Sequence, residues 1–314
     1  MSGGRRETGG GALKTLERAA TIALPEHAGP GGFDHADVDS RAGRLYVAHT
    51  ANDALDVIDT RARRHVESIS GLPGVAGALV CAEQGLVFTS NRGEDTVGIL
   101  ESGTVARVPV GKRPNGLAYD SRHRLLLVAN VGEPPSVSFV SVDARREIAR
   151  VPMPGRTRWA IFDARSSCFF VNIADPARIV LLESDHPDQV AGTIAVPATG
   201  PHGLDADFER RRLYCACDQG TLVVLELDTG AVLAERALSG APDVIFYDAG
   251  LRLLHVAIGD PGVIDVFDTE ACERHETLTT ERGAHTIALD RATHEIYAFL
   301  PQSHAALVFQ NSTV

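Results

Sequence analysis

The feature that most constrains this chain is a unit that recurs seven times, in which an apolar strand, a polar loop and a second strand follow one another. Residues 44–60 read RLYVAHTANDALDVIDT, and related copies begin at residues 86, 125, 168, 212, 252 and 295. A landmark residue ends the segment before each copy, at intervals of 42, 39, 43, 44, 41 and 42 residues: Asp39, Cys81, Asp120, Asp163, Asp207, Asp248 and Asp290. A regular period in the forties with several strands is typical of propeller blades. The sequence therefore predicts an all-β, seven-bladed β-propeller.

One unit shows how each blade is divided. Residues 113–120, 125–130, 136–143 and 146–153 read as inner strand A, then B, C and outer strand D, with turn residues between them. Only QNSTV follows Phe309, so the last unit lacks its own strand D. Residues 19–24, AATIAL, have no other partner and are predicted to supply it, which closes the ring and removes open sheet edges. We predict a flexible tail over residues 1–12, which hold five glycines, and one propeller domain over residues 13–314.

The net charge and the composition limit the classes of partner that this chain is expected to bind. Lys and Arg number 30 against 41 Asp and Glu, a net charge of −11, and the chain has no basic run. Duplex nucleic acid and anionic membrane are therefore disfavoured, because binding either requires phosphates to be neutralised. No stretch of about 18 apolar residues predicts a membrane span. The five cysteines are scattered without a disulfide pattern, so a reducing, cytoplasmic location is expected.

The repeats resemble those of a known family. The lead-in P-x-G-(L/I)-A-x-D and the pattern (L/Y)-V-A-N...V-x-V-(I/V)-D are similar to the YVTN repeat of YncE-like seven-bladed β-propeller proteins, over about residues 20–310. The matched residues are mainly structural, so the resemblance implies the fold and little about activity. Distant similarity extends to virginiamycin B lyase-like and muconate lactonising enzymes and to six-bladed lactonases. The chain departs from the pattern at His49, where asparagine is usual, and at CACDQG in the fifth unit.

The start of each A strand is the first place to look for chemistry. In such a blade the start of A and the end of B emerge on one face, where loops from all blades surround the channel mouth. The residue five before each landmark forms a predicted ring there: Asp34, Ala76, Asn115, Arg158, His202, Asp243 and His285.

Two readings of this polar ring give it a function. His202, Asp243, His285 and Asp34 could hold a divalent metal such as Zn²⁺, Mn²⁺ or Fe²⁺, with Ca²⁺ and Mg²⁺ left open. Alternatively His202 or His285 could act as a metal-free acid or base, since an imidazole near a carboxylate suits either role. In both readings Asn115 and Arg158 contact the ligand, Arg158 by a bidentate grip on a carboxylate or phosphate. The competing interpretation is a set of polar side chains that only lines a solvated channel.

The neighbouring positions add one further candidate. His49 ends strand B of the first blade and is predicted to face the same mouth and contact the ligand. Alternation along a strand predicts that at most one of Asp34 and His35 faces the channel, and that Trp159 faces a blade interface if Arg158 faces the channel. Charged loop residues such as Arg92 and Glu94 are expected to be solvated.

Three functions are compatible with this pattern. The leading one is a propeller that binds a small polar or anionic molecule, or a metal ion, at the channel mouth. The second is a metal-assisted lactonase or lyase that uses the same histidines and aspartates. The third is a scaffold for protein partners, which would use the exposed loops and need no polar channel. Fold alone does not decide among them.

Overall fold

Seven four-stranded antiparallel sheets form the ring of a β-propeller in the computed structural model, which describes residues 15–312. This confirms the predicted architecture. The predicted tail at residues 1–12 lies outside the described residues.

Blades 1 to 6 each use four consecutive strands, running from the channel outwards. Blade 1 consists of β2 Ala36–Asp39, β3 Arg44–His49, β4 Ala54–Asp59 and β5 Arg64–Ser70, with a short 3-10 helix at Thr50–Asn52. Blade 2 consists of β6 Val75–Cys81, β7 Leu86–Asn91, β8 Thr96–Glu101 and β9 Thr104–Pro109. Blade 3 consists of β10 Pro114–Asp120, β11 Leu125–Asn130, β12 Ser136–Ser141 and β13 Arg146–Pro152.

The remaining blades repeat this order. Blade 4 consists of β14 Thr157–Asp163, β15 Cys168–Ile173, β16 Arg178–Glu183 and β17 Gly192–Ala195. Blade 5 consists of β18 Pro201–Asp207, β19 Arg212–Cys217, β20 Thr221–Glu226 and β21 Val232–Ala237. Blade 6 consists of β22 Pro242–Asp248, β23 Leu253–Ile258, β24 Val263–Asp268 and β25 Glu273–Thr279.

Blade 7 contains both ends of the chain. It consists of β26 Ile287–Asp290, β27 Glu295–Leu300, β28 Ala305–Asn311 and, as its outer strand, β1 Leu16–Ala23. Strand β1 pairs antiparallel with β28, from Leu16 opposite Asn311 to Ala23 opposite Ala305. Ring closure by the N-terminal segment therefore agrees with the prediction, although the strand begins three residues earlier than expected.

The landmark aspartates have a local task that explains their regular spacing. Each lies at the end of an A strand and accepts hydrogen bonds from backbone N–H groups two or three residues further on, as Asp120 does from Arg122 and His123. An aspartate that bonds its own backbone in this way fixes the A–B turn. The aspartates therefore mark the A–B turn of six blades rather than the functional site, and blade 2 has Cys81 at this position.

The core is divided among the junctions between neighbouring blades. Seven clusters of buried apolar side chains are present in the described residues, each shared by two adjacent blades. Strands B and C are buried on both faces, which explains why their alternation is weak in the sequence. This packing holds the seven A strands rigidly around the central channel.

Candidate functional site at the channel mouth

A β-bulge marks the ring position in five blades. In blades 2 to 6 the pairing of strand A with strand B shifts at its start, for example between Pro201 and Gly203 or between Pro242 and Ile245. A bulge places an extra residue on one strand and re-aims side chains there. In this way His202 and Asp243, from adjacent blades, are turned towards each other at the mouth.

Glycine makes this close approach possible in blade 5. A Cβ atom at Gly203 would lie 2.5 Å from the backbone oxygen of Asp243, which no real Cβ tolerates. The side-chain amide of Asn172 donates to the backbone oxygens of His202 and Gly203, at 3.1 Å each. The bulge therefore packs against the backbone of Asp243 and is hydrogen-bonded by the side chain of Asn172.

His202 lies between two carboxylates. Its Nδ1 is 2.7 Å from Asp218 Oδ1 and its Nε2 is 3.2 Å from Asp243 Oδ1. Burial alone would lower the pKa of His202, but the charge of Asp243 and the hydrogen bonds that the imidazole donates to both carboxylates outweigh it and raise the pKa to about 9. These surroundings favour the imidazolium form of His202 at neutral pH.

Arg158 places a second cation against the first. Its Nη1 lies 3.2 Å from His202 Nε2, and its Nη2 lies 3.3 Å from Asp218 Oδ2. Carboxylates flank both imidazole nitrogens, which stabilises a proton on each. With Nε2 protonated, the arginine–histidine contact brings two cations together and is not a hydrogen bond. Arg158 is mostly buried, and this burial lowers its pKa.

Asp243 also holds His285. Its Oδ2 lies 2.9 Å from His285 Nδ1. Burial would raise the pKa of Asp243, but the two neighbouring histidines hold it well below the usual carboxyl range. Burial would lower the pKa of His285, and the bond to Asp243 outweighs this and raises it. The imidazole of His285 is about one-third exposed, with 36% of its side chain accessible.

The other side of the mouth carries a second polar group. Arg92 Nη1 lies 3.0 Å from Asp34 Oδ2, and Arg92 Nη2 donates to Asn115 Oδ1 at 2.5 Å. The two halves influence each other electrostatically, through Asp34 with His285 and Arg92 with Arg158. We refer to all these side chains together as the mouth cluster: Asp34, Arg92, Asn115, Arg158, His202, Asp218, Asp243 and His285.

Two members of the mouth cluster were not among the predicted site residues. Arg92 and Asp218 each directly follow a B strand, after Asn91 and Cys217 respectively. Arg92 was expected to be solvated, but only 24% of its side chain is exposed and it is ion-paired. The signal that could have found both residues is their shared place in the repeat, one step beyond the B-strand ring.

The structure places His49 away from the mouth cluster. Its side chain is fully buried, with Nδ1 2.7 Å from Asp56 Oδ2 and Nε2 2.8 Å from His27 Nδ1. His27 follows β1, so this chain of contacts connects the closing segment to blade 1. The prediction that His49 contacts a ligand at the mouth is therefore not kept, because its side chain is used for packing and internal hydrogen bonds.

Simple alternation did not fully predict where two aromatic neighbours lie. His35 and Asp34 both face the channel, with His35 Nε2 3.3 Å from Asp34 Oδ1. Trp159 packs against the apolar cluster between blades 4 and 5, which agrees with the predicted blade interface. Its ring also reaches across the channel, 4.3 Å from that of His35 in blade 1 and 6.2 Å from that of Phe246 in blade 6. The reason in blade 4 is the bulge between Thr157 and Ala160, where alternation is broken.

The donor atoms of the predicted metal set are already engaged with one another. His202 has a carboxylate on each nitrogen, and Asp34 is paired with Arg92. Within residues 15–312 no group of three His, Cys, Asp or Glu side chains is arranged to hold a metal ion. The arrangement of the mouth cluster suits charge recognition and proton transfer better than metal ligation.

Comparison with solved structures supports the fold. A chain of Kuenenia stuttgartiensis Hydrazine Synthase is similar to this chain with a TM-score of 0.81 and 11% sequence identity, over 92% of this chain and 98% of that one. At this identity the similarity shows the fold alone. No family model and no curated protein matches the sequence. In the described part of the chain no helix is long and apolar enough to cross a membrane.

Proposed function

We propose that this propeller binds a small anionic molecule, carrying a carboxylate or phosphate, at the mouth cluster. The observation that carries the proposal is the 3.2 Å distance between Arg158 Nη1 and His202 Nε2, the imidazole whose pKa its two carboxylates raise. Like charges this close are costly in a partly buried site, and an anion held beside the pair by Arg158 would offset that cost through its charge, without a free N–H on His202. The neighbouring Asp218 and Asp243 fix the two cations in position.

Two further features support an anionic ligand. The Nε atoms of Arg92 and Arg158 are buried without a hydrogen-bond partner among the described residues. Arg92 also brings a third cation to the mouth. A binding function of this kind agrees with the resemblance of the repeats to YncE-like propellers. A scaffold for protein partners would not require such a charged mouth.

Isothermal titration calorimetry with malonate and inorganic phosphate tests the proposal, with malonamide as the uncharged analogue of malonate. We expect Arg158→Gln to weaken malonate binding by at least about tenfold, the loss typical of a charged hydrogen-bonded contact. Arg282→Gln is the matched control, because Arg282 lies in a D–A loop of the same face, 72% exposed, and pairs with Asp260. Equal binding of malonate and malonamide, or no saturable binding of either anion, would contradict the proposal.

A second candidate function is metal-free acid–base catalysis by His285. The supporting observation is the Asp243–His285 pair, in which Asp243 holds Nδ1 and leaves the exposed ring edge facing the mouth. A carboxylate that orients an imidazole in this way is a common arrangement for a general base. Turnover would be sought in a panel of lactones and lyase substrates.

If a substrate is found, His285→Gln should lower kcat by about 10²-fold or more. His186→Gln, in an exposed loop outside the mouth cluster, should leave kcat unchanged. Turnover that survives His285→Gln would remove His285 from the reaction. The absence of turnover across the panel would leave binding as the function of the cluster.

A further inference from the structure

The channel contains a cavity on the other side of His35 and Trp159 from most of the mouth cluster, and we call it the lower cavity. Its volume is about 360 Å³, within the range of small-molecule sites. It opens near the A–B turns, because its lining reaches Ser121, Phe208 and Arg291 in those turns. The cavity is thus separate from the proposed anion site.

Two carboxylates face this cavity from blades 1 and 5. Asp37 accepts backbone hydrogen bonds from Val38 at 2.8 Å and from Val80 in the next blade at 2.7 Å. Asp205 does the same with Ala206 at 2.8 Å and Tyr247 at 2.7 Å. These bonds fix both carboxylates in place.

One basic side chain opposes these two carboxylates. Among the described residues that line the cavity, Arg291 is the only Arg or Lys. Its Nη2 lies 3.9 Å from Asp205 Oδ2, beyond hydrogen-bond length, and 55% of the side chain is exposed. His35 adds no charge at neutral pH, because burial lowers its pKa. The lining therefore sets two carboxyl groups against one guanidinium. Burial raises the pKa of Asp37 and of Asp205, and the nearby charge of Arg291 counteracts that rise.

Aromatic rings form much of the remaining wall. The lining includes Tyr119, Trp159, Phe162, Phe208 and Phe246. Ring faces attract cations, most strongly where water is excluded. The chain already shows this preference, since the guanidinium carbon of Arg291 lies 5.6 Å from the centre of the Phe246 ring.

From this combination we infer that the lower cavity binds a small organic cation, an ammonium group attached to an apolar body. The ammonium is stabilised by Asp37 and Asp205, and the apolar body packs against Trp159 and Phe246. Arg291, at the edge, competes with the ligand for the same carboxylates. The charge of Arg291 therefore weakens the binding of a cation and would strengthen the binding of an anion.

Trp159 gives the cavity its own reporter, because it is the only tryptophan of the chain. Its fluorescence would be followed during titration with benzyltrimethylammonium and, separately, with phenylacetate, an aromatic anion of similar size. We expect saturable changes with the cation, tighter binding in Arg291→Gln, and binding at least about tenfold weaker in Asp205→Asn. Arg41→Gln is the matched control, in an A–B turn with a side chain 68% exposed and paired with Glu83.

The sign of the Arg291→Gln effect decides the inference even if Asp205→Asn fails to fold. Weaker cation binding in Arg291→Gln, or tighter binding of phenylacetate than of the cation by the wild type, would overturn it in favour of an anion site. The absence of a saturable change with either probe would show that the cavity takes no ligand of this class. An unchanged affinity in Arg291→Gln would equally overturn the assignment.

Discussion

At the scale of single residues, histidines serve opposite purposes in this protein. His202 and His285 lie beside carboxylates that raise their pKa, whereas burial lowers the pKa of His27, His35 and His255. Protonation of the first group stabilises the folded state, whereas protonation of the second group destabilises it. The sequence shows twelve histidines but does not separate these groups, because the distinction depends on neighbours from other blades.

His255 gives the clearest residue-scale prediction. It is buried in β23 with no hydrogen bond to either ring nitrogen, and burial lowers its pKa to about 4 from 6.5. The unfolded chain therefore takes up a proton at this position first, so stability falls as the pH drops from about 6.5 to about 4. This one group accounts for a loss of about 3 kcal/mol over that window.

Replacing His255 by leucine should remove that part of the pH dependence. Urea unfolding of wild type and His255→Leu at pH 7 and pH 5 would measure the difference, with the variant at least as stable at pH 7 because no polar atom is left unpaired. His186→Leu, at an exposed position, should retain the wild-type pH dependence. A variant that loses stability with falling pH as steeply as the wild type would show that His255 is not the cause.

At the scale of strands, the sequence predicted the bounds of the strands well but did not predict their β-bulges. The strands of blade 3 were predicted within two residues of their observed bounds, because turn residues mark their ends. The bulges at the starts of the A strands were not predicted. They depend on close contact with the next blade, as at Gly203, and such a contact leaves no periodic signal.

The contact at Gly203 is itself testable. Gly203→Ala would push the backbone of Asp243 away from His202, at a cost of about 1–3 kcal/mol in stability. We therefore expect a lower midpoint in urea and weaker malonate binding. Gly192→Ala, in β17, is the matched control because the added Cβ would meet only ordinary contacts at 3.9 Å. Equal unfolding midpoints for the two variants would contradict the role of Gly203.

Closure of the ring can be tested by truncation. Deleting residues 1–25 removes β1, exposes the edge of β28 and takes the buried Ile22 out of the core. We expect this chain to lose cooperative thermal unfolding, followed by circular dichroism and calorimetry. Deleting residues 1–11 should leave the transition unchanged. A chain lacking residues 1–25 that melts like the full protein would show that β1 is dispensable.

At the scale of the whole molecule, the channel has two ends with different chemistry. One end carries cations held by carboxylates, and the other carries carboxylates and aromatic rings around one arginine. The repeat pattern alone predicted that Asp34, Arg158, His202, Asp243 and His285 meet at one mouth. It did not predict the lower cavity, because the contacts of the Trp159 ring with His35 and Phe246 across the channel leave no signal in the repeat.

The charge on His202 is the central claim for the mouth, and NMR titration of its imidazole measures it most directly. Labelled wild-type protein and Arg158→Gln would be titrated with and without malonate, using His202→Gln to assign the signal. We predict a midpoint near pH 9 in the free protein. Malonate should move it higher, because an anion stabilises the imidazolium. A midpoint near the ordinary 6.5 that malonate does not move would contradict the account.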